Sequence, residues 1–129
     1  MTTYPVEGYL EIPLTGAALF AGGEIANVAN PEGKPLIIQD VKIYIDTATT
    51  DAGTTLSVGI TTTLTASTNL INALAIDGAI AGLAYHGMTA LAANGAAVVW
   101  GAAQYLTATG SAASTAFVGR LFVKYIAVR

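Results

Sequence analysis

Catalysis needs nucleophiles, bases or metal ligands brought close together, and this chain of 129 residues offers few of them. Its single histidine, His86, stands in AYHGM, and it has no cysteine. A hydrolytic triad would set that imidazole beside an activated serine and a buried acid. Ser57 lies inside a strand-like alternation, Ser67, Ser111 and Ser114 lie in loop-like sequence, and none occupies a G-x-S-x-G elbow. Asp46 and Asp51 flank the threonine-rich stretch TATT, but a calcium loop supplies oxygen ligands far more densely than two carboxylates do. Gly22 and Gly23 build neither a G-x-G-x-x-G turn nor a P-loop, so no phosphate cradle is expected. Trp100, the one tryptophan, follows Val98 and Val99 and reads as a core residue at a strand end, not as a sugar-stacking platform. These residues predict no enzyme, and no catalytic, cofactor-binding or metal site.

Composition narrows the partners. Hydrophobic residues make up 53% of the chain and charged residues only 10%, too few to solvate an entire surface. Part of the surface is therefore expected to meet protein. The net charge of −3, with Lys34, Lys42, Arg120, Lys124 and Arg129 scattered, argues against nucleic acid. Between Asp77 and Arg120 no charged side chain occurs, yet the stretch is mainly Gly and Ala, broken by His86, Thr89 and Asn94. A spanning helix needs about 20 predominantly apolar residues, so no membrane segment is expected. The opening MTTYPVEGYLEIPL has no basic start and carries Glu7 and Glu11, so it does not read as a signal peptide.

The elements available to position anything are strands. Residues 1–16 are expected as an extended N-terminal arm or an edge strand, with Pro13 suited to the edge. GGEIANVA (22–29) is a second, weaker run, and NPEGKP (30–35) is a turn in which Asn30 accepts from the backbone and Gly33 takes positive φ. In LIIQDVKIYID (36–46) alternation predicts Ile37, Val41, Ile43 and Ile45 as a buried row, opposite Asp40, Lys42, Tyr44 and Asp46. TTLSVGI (54–60) buries Leu56, Val58 and Ile60; VVWGAAQYLTATG (98–110) supplies further strand. STNLINALAI (67–76) reads either as a short helix capped by Ser67 or Asn69 or as an extended crossover. TATTDAGTTLSVG (47–59) echoes TATGSAASTAFVG (107–119), a likeness that shared loop composition explains better than duplication. Short strands between turn signals predict a single all-β domain: a compact β-sandwich, jelly-roll-like, with long Ala/Gly/Thr-rich loops.

The order ANPEGKPLIIQDVKIYIDTAT, AGTTLSVGI, STNLINAL, WGAAQYLTATGSA and FVGRLFVKYI resembles a group of small structural proteins of tailed bacteriophages. The resemblance runs from about residue 22 to 126. Its most particular parts are the Asn30–Gly33 turn before an Ile-rich strand, and the Trp100/Tyr105–Leu106–Thr107 segment before the terminal Val-Gly strand. It implies a virion accessory protein of the capsid decoration (cement) type, or a head- or tail-surface protein. Its partners would be the major capsid protein and further copies of itself, as a dimer or trimer. The place of action would be the outer capsid surface, after synthesis in the host cytoplasm. A receptor- or glycan-binding fibre module, and an unrelated bacterial β-sandwich adhesin, are the competing readings.

AFVGRLFVKYIAVR (116–129) carries the sharpest expectation. Phe117, Leu121, Val123 and Tyr125 fall on one side of a strand and should fill the core. Val118, Arg120, Phe122, Lys124 and Ile126 fall on the other, greasy and basic together, and form the candidate assembly face. In a monomeric sandwich, loops would fold over that second face instead.

Overall fold

A computed structural model describes residues 6–16, 24–78, 84–86 and 98–128. Nine strands and no helix occur among them: β1 (Val6–Thr15), β2 (Glu24–Ala29), β3 (Leu36–Thr47), β4 (Thr55–Thr61), β5 (Ile71–Ala75), β6 (Ala84–His86), β7 (Val99–Trp100), β8 (Tyr105–Gly110) and β9 (Val118–Ala127). The first sheet runs β1-β9-β3-β6, with β7 also on β3; the second runs β2-β8-β4-β5. All the strand pairs are antiparallel, and the two sheets form a sandwich. Residues 1–5, the glycine pair at 22–23 and most of the Ala/Gly-rich stretch around Thr89 and Asn94 lie outside the described residues.

Alternation explains most of the core. Leu14, Ile43, Leu121 and Val123 point inward from the first sheet, and Leu56, Val58, Leu106 and Ala108 from the second. Trp100 and Phe117 are the largest fully buried side chains. Trp100 Nε1 donates to the Gln104 carbonyl at 2.9 Å, and Gly101 N donates to Gln104 Oε1 at 2.6 Å, which shapes the corner where the chain leaves β7 for β8. A buried indole with its N–H satisfied is core packing.

β1 is an edge strand, as expected of a run containing Pro13. Gly16 N donates to Phe117 O, so even-numbered amides of β1 turn toward β9 and position 13 turns to the open edge, where a missing N–H costs nothing. The Asn30 turn also forms as expected. Its Oδ1 accepts from the amides of Glu32 and Gly33 at 2.9 Å each, and Gly33 has φ of 66°. Asn30 Nδ2 reaches back to the carbonyls of Lys34, Trp100 and Gly101, tying this turn to the β7–β8 corner.

Ile37 is not in the buried row: Leu36 and Ile38 are buried and Ile37 is half-buried on the other side. The cause is a bulge at Gln39, since Ile38 pairs Tyr125 while Asp40 pairs Lys124. One extra residue shifts the side-chain parity, so Val41, Ile43 and Ile45 point inward from odd positions after inward residues at even ones. The segment 67–76 takes the extended alternative. Asn69 accepts from Ile60 N at 2.7 Å and donates to Ile60 O, Ser67 Oγ donates to the same carbonyl, and β5 follows.

The 47–59 and 107–119 echo has no structural counterpart. Its alignment sets buried Val58 against exposed Val118 and half-buried Ser57 against buried Phe117. The two loops instead bond to one another. Thr49 Oγ1 donates to Thr115 O, Thr54 Oγ1 to Ala113 O, and Thr115 N to Asp51 Oδ2 at 2.6 Å.

Candidate assembly face

The outer face of the first sheet is built from cross-strand rows through β1, β9 and β3. Glu11–Phe122–Lys42 is the central row, flanked by Tyr9–Lys124–Asp40 and Pro13–Arg120–Tyr44. Glu7–Ile126–Ile37 and Thr15–Val118–Thr47 lie further out. The aliphatic row continues into β7, where Val99 pairs Ile37 and is exposed. Because β9 is flanked on both sides, the face has a stiff hydrogen-bonded floor.

All five residues expected on the face share it. Val118 is 43% exposed and Phe122 39%, Arg120 is exposed, and Lys124 and Ile126 are half-buried among their neighbours. Phe117, Leu121, Val123 and Tyr125 are buried on the opposite side. The terminal strand thus has one face in the core and a second, apolar and basic together, that is open to solvent.

Each cation of the face has a partner group on it. Arg120 donates to both carboxylate oxygens of Asp46 at 3.3 and 3.0 Å, approaches Glu11 at 3.7 Å, and lies 5.0 Å from the Tyr44 ring centre. The Asp46 hydrogen bond and charge raise its already high pKa further. Asp46 reaches Arg120 because a second irregularity, between Ile45 and Thr47, makes it the unpaired residue opposite Gly119 and Val118. Lys124 lies 5.8 Å from the ring centre of Tyr9, which is itself 71% exposed, and Lys42 meets Asp40 at 3.4 Å. Tyr9, Glu11, Asp40, Lys42, Phe122 and Lys124 rim a shallow depression of about 550 Å³.

Tyr9, Glu11, Asp46, Ile37 and Val99 belong to this surface but were not singled out for it by the sequence. Alternation marks the solvent side of β1 and β3. It cannot tell that both strands flank β9.

The other chemistry-bearing residues are spread apart. His86 lies in β6 in register with Lys42. Ser57 Oγ accepts from Ala73 N, Ser111 Oγ from Thr55 N, and Ser67 Oγ donates to Ile60 O, while Ser114 is buried. Asp51 is committed to the 111–117 loop: hydrogen bonds from the Thr115 side chain and amide hold its carboxyl below the usual range. Among the described residues no three His, Cys, Asp or Glu side chains gather closely enough to hold a metal, and no helix is long and apolar enough to cross a membrane. The chain matches no protein-family model, and no curated protein or solved structure matches it either.

Proposed function

We propose that the chain is a non-enzymatic structural protein of a tailed-bacteriophage virion, a capsid decoration (cement) protein that binds and stabilises the outer surface of the head shell. The observation that carries this reading is the outer face of the first sheet. Phe122, Val118 and Tyr9 stand in solvent on a three-strand floor, with Arg120 and Lys42 already paired to carboxylates. Covering such a face removes apolar area from water at about 25 cal/mol per Å², less the costs of association. Pairing lowers, without removing, the cost of desolvating those charges in that step.

Two further observations support the reading. The order β1-β9-β3-β6 over β2-β8-β4-β5, with β6 and β7 sharing one strand's place, fits a jelly roll of two Greek keys, an architecture used in viral capsid domains. Fold alone does not decide function; the segment order that resembles phage structural proteins adds the virion. In this reading the partners are the major capsid protein and other copies of the chain, at the outer capsid surface, and no cofactor is used.

A second reading, a fibre or tail-surface module that binds a receptor or glycan, draws on the depression beside Tyr9 and Phe122. Sugar sites place exposed aromatic rings among polar groups, as Glu11, Asp40 and Lys42 are placed here. Binding to shells stripped of the protein separates the two. Wild type should bind them and a folded Phe122→Ser variant should bind about tenfold or more weakly. Equal binding by both would contradict the assembly face, and sugar binding without shell binding would favour the second reading.

A further inference from the structure

We infer that the outer face of the first sheet is complementary to itself, and that its occupant is a second copy of this chain related by a two-fold axis along β9. The inference rests on the assembly reading above and takes a neighbouring copy as the direct cover for this face, so that the shell is bound by the dimer and Phe122 acts on shell binding through it. Two sheets stacked face to face with their strands aligned, about a two-fold axis in their plane, have two arrangements. An axis across the strands lays β1 on β1 of the other copy, so the acidic flank of Glu7 and Glu11 meets its own like charges. An axis along β9 lays β1 on the other copy's β3. Glu11, Phe122 and Lys42 form one cross-strand row. About that axis Glu11 of each copy faces Lys42 of the other, and Phe122 meets its counterpart. Two opposite-charge pairs then bracket one aromatic contact; the like charges this arrangement brings together are Arg120 and Lys124, each with a partner group on its own copy, where the alternative sets Glu11 against Glu11.

Side-chain geometry leaves both groups able to respond. Glu11 meets Arg120 at 3.7 Å and Lys42 meets Asp40 at 3.4 Å, with the Glu11 and Lys42 side chains about half exposed. Exposed contacts of this kind are weak and exchange readily. Arg120 and Lys124 sit closest to the axis, where like charges would meet. Arg120 is neutralised there by Asp46, and Lys124 lies over Tyr9. About the β9 axis three strands of each copy overlap, β1, β9 and β3; spaced about 4.8 Å apart and about ten residues long, they give a footprint of roughly 500 Å². That is short of the ~800 Å² per partner of a standard interface and matches a weak, concentration-dependent dimer. Aligned packing of two sheets also keeps strand directions within about 30°, so the facing rows stay opposite each other near the axis.

The test is sedimentation equilibrium of the full chain from sub-micromolar to tens of micromolar concentration, with thermal melting to confirm that each variant is folded. Wild type should be a dimer that weakens as salt rises. Glu11→Lys and Lys42→Glu should each weaken dimerisation about tenfold or more, because each changes two symmetry-related pairs, and the double variant should recover most of that loss. A double variant as weak as the two single losses combined would overturn the pairing. A wild-type monomer, or a trimer, would overturn the two-fold. If the chain is monomeric yet binds stripped shells in a Phe122-dependent way, the self-association fails and the assembly reading survives. If it dimerises with the charge pattern predicted while Phe122→Ser binds shells normally, the dimer stands and the shell-binding role of the face falls.

Discussion

Leu121 and Phe122 are chain neighbours on opposite faces of β9, so a pair of substitutions separates folding from assembly. Leu121 is fully buried, and truncating a buried leucine to alanine removes transfer energy and leaves a cavity, at about 2–5 kcal/mol. Phe122 is 39% exposed. Its covered part is lateral contact with the Glu11 and Lys42 side, and losing it in Phe122→Ser should cost about 1–2 kcal/mol, within the range for partial burial of an aromatic side chain. For a domain of this size each kcal/mol lowers the melting temperature by about 3–6 °C. Leu121→Ala should therefore melt about 6–30 °C below wild type and Phe122→Ser about 3–12 °C below. Self-association and shell binding should reverse that order, with Phe122→Ser losing both while folded and Leu121→Ala retaining both below its melting point. Calorimetry and sedimentation of the two variants decide the matter. If Phe122→Ser unfolds the chain as severely as Leu121→Ala, the outer residue belongs to the chain's own core and the assembly surface at β9 does not exist.

Deleting Gln39 should destabilise the chain by about 3–6 kcal/mol in denaturant titration, because removing the bulge turns both Leu36 and Ile38 out of the core. Ala116, held at φ of 64°, should be improved by glycine: Ala116→Gly is expected to raise stability by up to about 1 kcal/mol, read by thermal melting, and no gain would contradict the strain. Asp51 has a folded-state pKa depressed by Thr115, so its contribution is present above the ordinary value of 3.8 and lost as pH falls through the folded value. Stability measured from pH 6 down to 2 should consequently fall less steeply in Asp51→Asn than in wild type.

Local patterns in the sequence were enough to assign the two faces of β9, the edge position of Pro13 and the Asn30 turn, since each depends on residues within a few positions. Ile37 was not legible. The bulge at Gln39 is set by how β3 pairs with Tyr125 and Lys124, about 85 residues away, and alternation within one strand carries no record of it. Segment 67–76 was ambiguous because Asn69 can cap a helix or clasp a neighbouring strand, and the carbonyl and amide of Ile60 decide for the clasp. Of the candidate site, only the β9 residues could be found from the sequence. The ion pair of Arg120 with Asp46, the ring contacts with Tyr44 and Tyr9, and the Val99–Ile37 row arise from the strand order β1-β9-β3 with β7 beyond.

Electron cryo-microscopy of purified virions prepared with and without this chain bears directly on the decoration role. Regular density is expected on the outer head surface and should disappear when the chain is absent, with Phe122 and Val118 covered by protein. Particles with no such difference, or density in which the outer face of the first sheet is open to solvent, would contradict that role.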